Sequence, residues 1–128
     1  DARGILVPIE AESDVPFQIK RVYYITQVPK DEKRGFHAHQ ELHQVLLCLE
    51  GSVKIRVESN SEEEIFLLND PGKGLYIGPM IWREMFEFSS GSVLLILASE
   101  HHNNEDYIKD HRQFMILANQ YFQREGVK

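Results

Sequence analysis

Arg34-Gly35-Phe36-His37-Ala38-His39 opens the stretch of this sequence best equipped for chemistry. Two imidazoles stand two residues apart at the head of an apolar run that continues through Val45, Leu47 and Leu49 to Glu50-Gly51. Strand side chains alternate between faces, so His37 and His39 point the same way if the run is a β-strand. His43 shares their parity, and one face then carries three imidazoles over a bed of aliphatic residues. Imidazole titrates near neutral pH, which suits such a face to proton transfer or to metal binding. Distance argues against the metal. His37 and His43 would stand about 20 Å apart on a strand rising ~3.3 Å per residue. They cannot close on one ion at about 2.1 Å without a bulge. Acid–base chemistry by the His37/His39 pair is the alternative. The other histidines lack this context: His101 and His102 read as loop residues, and His111 as a surface position of a helix.

The elements that must position the pair follow from alternation and turn chemistry. Ile5 to Ile9 is a short β-type run, with Pro8 favouring an edge. Phe17 to Thr26 is rich in aromatic and β-branched residues, hence a strand. A charged loop, 29–34, delivers the chain to Gly35, and His37 to Leu49 follows as one strand. Val53 to Glu58 alternates cleanly. Glu62-Glu63-Glu64 reads as a solvated hairpin turn. Further strands are expected at Glu64–Leu68, Gly74–Pro79, Met80–Phe88 and Ser92–Ala98, parted by Gly, Pro and Asn turns. Many short strands at regular spacing argue for a closed all-β architecture, with a jelly-roll barrel the natural candidate. The period then changes. Ile108, Phe114, Met115, Ala118, Tyr121 and Phe122 recur at helical spacing and predict one helix over 105–123, with Asn103 or Asn104 as cap and Gly126 as stop.

Composition narrows the class. At 128 residues and 42% hydrophobic, the chain reads as one globular domain spanning 1–128. A net charge of −6 with no long basic run argues against nucleic acid as a partner. No apolar stretch approaches the ~20 residues of a membrane span, and no signal peptide is evident. The lone Cys48 fits a reducing, cytoplasmic compartment.

Beyond these readings, the His-x-His pair on a strand ending in Gly resembles the first signature of the cupins. A metal-binding cupin usually carries a carboxylate four positions after the second His and another His on a later strand. Here His43 holds the first of those positions, and Trp82-Arg83-Glu84 occupies the region of the second. The runs Arg21-Val22-Tyr23-Tyr24-Ile25, Arg34-Gly35-Phe36-His37-Ala38-His39, Gly78-Pro79-Met80-Ile81-Trp82-Arg83-Glu84-Met85, Leu97-Ala98-Ser99-Glu100 and Asp106-Tyr107-Ile108 resemble, in the same order, the dTDP-sugar 3,4-ketoisomerases, the WxcM-like cupins of bacterial deoxysugar pathways. His43 departs from that pattern, which often has Glu or Lys at its position.

The resemblance implies a cupin barrel with one C-terminal helix. It implies an isomerase that converts dTDP-4-keto-6-deoxy-glucose to a 3-keto-6-deoxy-hexose with no metal or other cofactor. It also implies a homodimer, often with exchanged N-terminal strands. Proton transfer between C3 and C4 through an enediol would fall to His37 and His39, with His39 as the main base. Arg34 suits a bidentate phosphate contact. Arg3 is placed to reach a diphosphate, in a neighbouring subunit for instance. Arg21 and Tyr23 share a strand face that suits phosphate and thymine. Trp82 and Glu84 are further substrate-contacting candidates, Glu84 as an orienter of a histidine or a sugar hydroxyl. The competing readings are a dTDP-sugar 3,5-epimerase-like enzyme, with Tyr24 or Tyr76 as acid, and a non-catalytic cupin that binds a sugar or other small molecule.

Overall fold

The computed structural model describes residues 1–124. Two antiparallel sheets face each other. Their strands are β1 (Arg21–Thr26), β2 (Arg34–His39), β3 (Gln44–Glu50), β4 (Val53–Glu58), β5 (Glu63–Leu68), β6 (Leu75–Ile77), β7 (Trp82–Phe86), β8 (Val93–Ala98) and β9 (Tyr107–Ile108). One sheet runs β1-β8-β3-β6, the other β5-β4-β7-β2-β9. Helix α1 (His111–Arg124) follows. This is the expected β-barrel with a C-terminal helix.

Strand parity divides the interior into two zones. Leu46, Cys48, Val53, Ile55, Met85, Leu94 and Ile96 are buried together and make an aliphatic end. Truncating a fully buried member such as Ile55 or Ile96 to Ala costs about 2–5 kcal/mol. The same inward rows carry polar groups toward the other end: Arg21 and Tyr23 on β1, Gln44 on β3, and Arg83 on β7. Arg21 and Gln44 both lie opposite Ala98 of β8, so they meet at one level of the barrel.

The expected strand from His37 to Leu49 is two strands in different sheets. The chain leaves β2 after His39, and Met80 N–H donates to the His39 carbonyl at 2.7 Å. Gln40 N–H bonds Asp106 O, and Glu41 N–H bonds the Asp106 carboxylate at 2.9 Å. These partners satisfy the turn's backbone, so residues 40–43 carry the chain across to β3. His43 therefore does not share one strand face with His37 and His39.

Three other boundaries differ from expectation. Residues 5–9 form no strand, and Ile5 is 91% exposed. The β1 strand begins only at Arg21, because Phe17 packs with Val15, Val45, Leu47 and Leu97 in a separate cluster. Of the three consecutive glutamates only Glu62 lies outside a strand; Glu63 and Glu64 pair with β4.

The helix also starts later than the periodicity implies. Asn103 caps a 3-10 turn at Asn104–Asp106 rather than the helix itself. Tyr107 and Ile108 then pair with His39 and Ala38 as β9. Asp110 caps the true helix, its carboxylate accepting from Arg112 N–H at 2.9 Å and Gln113 N–H at 3.2 Å. Phe114 and Ala118 bury the helix against Ala38, Met80, Trp82 and Ile108. Gly126, the expected stop, lies outside the described residues.

Candidate active site

The two histidines sit just past a bulge. The β2–β7 register shifts between Gly35 and His37, with Gly35 at φ +92° and Phe36 at φ +60°. A Cβ on Gly35 would lie 2.9 Å from the Arg83 carbonyl oxygen, so only glycine fits that close approach. The bend turns the Gly35 carbonyl back toward the His37 ring, whose Nδ1 lies 3.1 Å from it. The His39 ring stands edge-on to that of His37, centroids 4.9 Å apart. Tyr107, brought in by β9, packs on both, at 4.9 Å and 4.4 Å.

Both rings are held in one tautomer. A carbonyl oxygen can only accept, so His37 Nδ1 carries the proton and donates to Gly35. His39 Nδ1 is 3.0 Å from the Asp106 carboxylate, which likewise accepts. Nε2 of each ring is therefore the nitrogen with a free lone pair. Burial, and behind it the positive charge of Arg83, lowers His37 to about 4 and His39 to about 2. Both imidazoles are neutral at physiological pH. Asp106 opposes that trend once His39 accepts a proton, because a carboxylate in contact favours imidazolium.

Below the histidines lies a buried polar relay. Arg83 is 0% exposed and has no carboxylate partner within ion-pair distance among the described residues. Its Nη1 donates to Gln44 Oε1 and its Nη2 to the Ile81 carbonyl, while its Nε has no partner. Burial lowers its pKa to about 10, so it stays charged. Gln44 Nε2 donates in turn to Tyr23 Oη at 2.9 Å. Tyr23 carries the Arg21 guanidinium over its ring at 4.9 Å, and burial raises its phenol.

Two adjoining clefts open onto these groups. The larger, of about 480 Å³, takes in Arg21, His39, Glu41, His43 and Asp106. The smaller, of about 290 Å³, takes in Arg21, Tyr23, Arg34, His37 and Met85. Arg21, His102 and Tyr107 line both, so the clefts are two halves of one concave site.

Five of the eight residues singled out in the sequence thus converge: His37, His39, Arg21, Tyr23 and Arg34. The other three lie elsewhere in this chain. Arg3 is on the exposed N-terminal arm, where it pairs with Asp1 at 3.6 Å. Trp82 and Glu84 have the opposite parity to Arg83 and face helix α1. Trp82 packs on Phe114 and His111 and donates to Glu84, and Glu84 also accepts from Arg56 at 3.1 Å. His43 lines the larger cleft with its ring against Tyr76, its Nδ1 on the Tyr76 hydroxyl. His102 is a loop residue as expected, yet lines both clefts. His111 is a partly exposed helix residue bound to Glu58.

Asp106, Tyr107, Gln44 and Arg83 complete the site and were not expected in it. Parity gave one usable signal: Arg83 alternates with Trp82 and Glu84, so one of the two sets had to face inward.

A family model described as FdtA: WxcM-like, C-terminal, matches residues 1–119. The chain belongs to this family. A TDP-4-oxo-6-deoxy-alpha-D-glucose-3,4-oxoisomerase of Aneurinibacillus thermoaerophilus is 43% identical over 98% of this chain and 91% of its own length. Among solved structures, the sugar 3,4-ketoisomerase QdtA of Thermoanaerobacterium thermosaccharolyticum, crystallised with TDP, is 56% identical, with a TM-score of 0.93 over 95% of this chain and 89% of that one. A 3,4-ketoisomerase of Helicobacter canadensis is 44% identical, with a TM-score of 0.89 over 93% of this chain and 90% of that one. This FdtA-family chain therefore carries the cupin-like ketoisomerase fold along nearly its whole length.

Proposed function

We infer that this chain is a sugar nucleotide 3,4-ketoisomerase acting on dTDP-4-keto-6-deoxy-glucose. The observation that carries the reading is the His37/His39 pair: two neutral imidazoles, His37 half-buried and His39 buried, with both Nδ1 atoms engaged and both Nε2 lone pairs free, in the cleft of a chain 56% identical to such an enzyme.

The reaction moves a ketone from C4 to C3. His39 Nε2 takes the proton from C3, and the C3–H electrons form the C3–C4 double bond of an enediolate as the carbonyl electrons move to O4. Asp106 stabilises the imidazolium formed at that moment. The proton is delivered to C4, and the O3 hydroxyl proton leaves as the C3 carbonyl forms. His37 carries that second proton between the oxygens. Arg83, buried without a carboxylate partner, anchors Gln44 beneath the site, and the aliphatic floor keeps the intermediate dry.

The nucleotide would lie across the two clefts. Arg21 has a buried Nε with no partner, which suits an anion, and Arg34 borders the same cleft. Diphosphate contacts by these two, with Tyr23 beside them, fit that placement. Trp82 and Glu84 act on the site through the strand they share with Arg83. The active form is a homodimer in which the exposed N-terminal arm, carrying Arg3, reaches a second copy. No helix among the described residues is long and apolar enough to cross a membrane, and a cytoplasmic location fits the lone buried thiol of Cys48. Among the described residues no three His, Cys, Asp or Glu side chains converge as a metal site; the reaction is proposed to proceed on the imidazoles alone.

Proton NMR with dTDP-4-keto-6-deoxy-glucose in D₂O and EDTA tests this reading. A 3-keto sugar nucleotide with deuterium confined to C3 and C4 is the expected result. Deuterium at C5 would instead mean a 3,5-epimerase. An untouched substrate alongside retained dTDP binding would mean a binding protein.

A further inference from the structure

Arg83 and Gln44 decide which way the Tyr23 hydroxyl hydrogen points. A guanidinium has only donors, so the Gln44 atom facing Arg83 Nη1 must be its carbonyl oxygen. The amide NH₂ is then the group 2.9 Å from Tyr23 Oη. Tyr23 accepts there, and its own hydroxyl hydrogen is left for another acceptor. Tyr23 borders the cleft beside His37. Gln44 is 2% exposed and cannot flip without leaving the Arg83 cation facing an NH₂ group, at the cost of a buried unpaired charge.

We propose that Gln44 and Arg83 are positioning residues that fix Tyr23 as a hydrogen-bond donor to the sugar oxygen on which enediolate charge develops, a role that rests on the ketoisomerase reading. The relay explains why a guanidinium is buried here without a carboxylate. An acid at position 44 would neutralise Arg83, but it would also accept from Tyr23 and turn the hydroxyl away from substrate. The amide alone can accept from a cation on one side and donate to a phenol on the other. The phenol stays protonated at neutral pH because burial raises its pKa. The geometry gives the cleft a neutral donor, fixed in direction before substrate arrives.

Gln44→Glu is the test, in a double-mutant cycle with Tyr23→Phe, read as kcat and KM by NMR alongside thermal melting. Tyr23→Phe removes the donor and is expected to lower kcat on the order of 10²-fold. Gln44→Glu preserves shape and pairs with Arg83, so its melting temperature should match or exceed wild type. Its kcat should nevertheless fall by about the same factor as in Tyr23→Phe, with KM within about threefold. The double variant should be no slower than Tyr23→Phe alone. If Gln44→Glu folds too poorly to assay, Gln44→Asn, whose shorter amide keeps a neutral acceptor near Arg83 while withdrawing the NH₂ from Tyr23, takes its place in the same cycle. Wild-type kcat in the Gln44 variant, or losses that multiply in the double variant, overturns the positioning role while the reaction stands. Absence of turnover by the wild-type protein in the same assay removes the reaction and this role together.

Discussion

His39 and Asp106 are 67 positions apart in the chain, yet His39 Nδ1 and the Asp106 carboxylate meet at 3.0 Å. The other Asp106 oxygen accepts from Glu41 N–H, so one carboxylate fixes both the ring and the turn that follows it. Asp106→Asn separates these two duties. Its carbonyl oxygen can still serve Glu41, while its NH₂ can face His39 and favour the tautomer with Nδ1 bare and Nε2 protonated. We expect kcat to fall on the order of 10²- to 10⁴-fold, as for a base held in the wrong tautomer. The melting temperature should change by only a few degrees. Turnover by NMR and a thermal melt on the same sample check both; near-normal kcat would mean that Asp106 serves the fold alone.

Most strands and the His pair are legible in the sequence because the signals are local: clean alternation in β4, and short apolar or β-branched runs between Gly, Pro and Asn turns elsewhere. What escaped depends on tertiary pairing. Ile108 matches a helical period and Tyr107 falls in the same span, but they pair with Ala38 and His39 because β2 otherwise has an open edge there. That pairing brings Asp106 and Tyr107 to the histidines. The family resemblance makes Trp82 and Glu84 substrate-contacting candidates, yet parity sends Trp82 to helix α1 and turns Arg83 inward. The relay from Arg83 through Gln44 to Tyr23 joins three strands, and no spacing within one segment announces it.

The low basicity of the two histidines makes stability depend on pH. Burial, with Arg83 as the next cause, brings His37 to about 4 and His39 to about 2 in the folded chain. Unfolded, each returns to about 6.5. Between the folded and unfolded values the unfolded chain binds more protons, so stability rises with pH there. It is complete above about pH 6.5 and is lost as pH falls toward 4. The slope is at most about 1.4 kcal/mol per pH unit for each imidazole. Melting curves from pH 8 to 4.5 should show a plateau and then a decline, and His39→Gln should make the decline shallower. Identical acid limbs in the two proteins would contradict a neutral buried His39.

Gly35 holds the bulge that turns a backbone carbonyl onto His37. Gly35→Ala places a methyl 2.9 Å from the Arg83 carbonyl oxygen at a φ of +92°. Strand β2 must then shift away from β7, and the Gly35 oxygen leaves His37 Nδ1. Stability should drop by about 1–3 kcal/mol, read by urea titration. The kcat measured well below the melting temperature should fall as well, because the His37 tautomer is no longer enforced. Lost stability with unchanged kcat would show that the bulge shapes the sheet without governing the histidine.

The N-terminal arm supplies the last prediction. Ile5 and Leu6 are 91% and 85% exposed, and Val7 is 43% exposed. Three consecutive apolar side chains in water are costly for a segment whose first four residues only close a turn on themselves, Gly4 N–H to the Asp1 carbonyl. The β1 strand is an edge of its sheet, and its outer face shows Val22 at 55% and Tyr24 at 66% exposure. An apolar arm and an open apolar edge on the same chain are complementary between two copies, and such an exchange covers the β1 edge. Light scattering behind size exclusion should give twice the chain mass for the full protein and the monomer mass after deletion of residues 1–9. Arg3 would travel with the arm, so Arg3→Ala in the intact dimer should raise KM for the sugar nucleotide with kcat nearly unchanged. A full-length monomer with normal turnover would remove both the exchange and the role of Arg3.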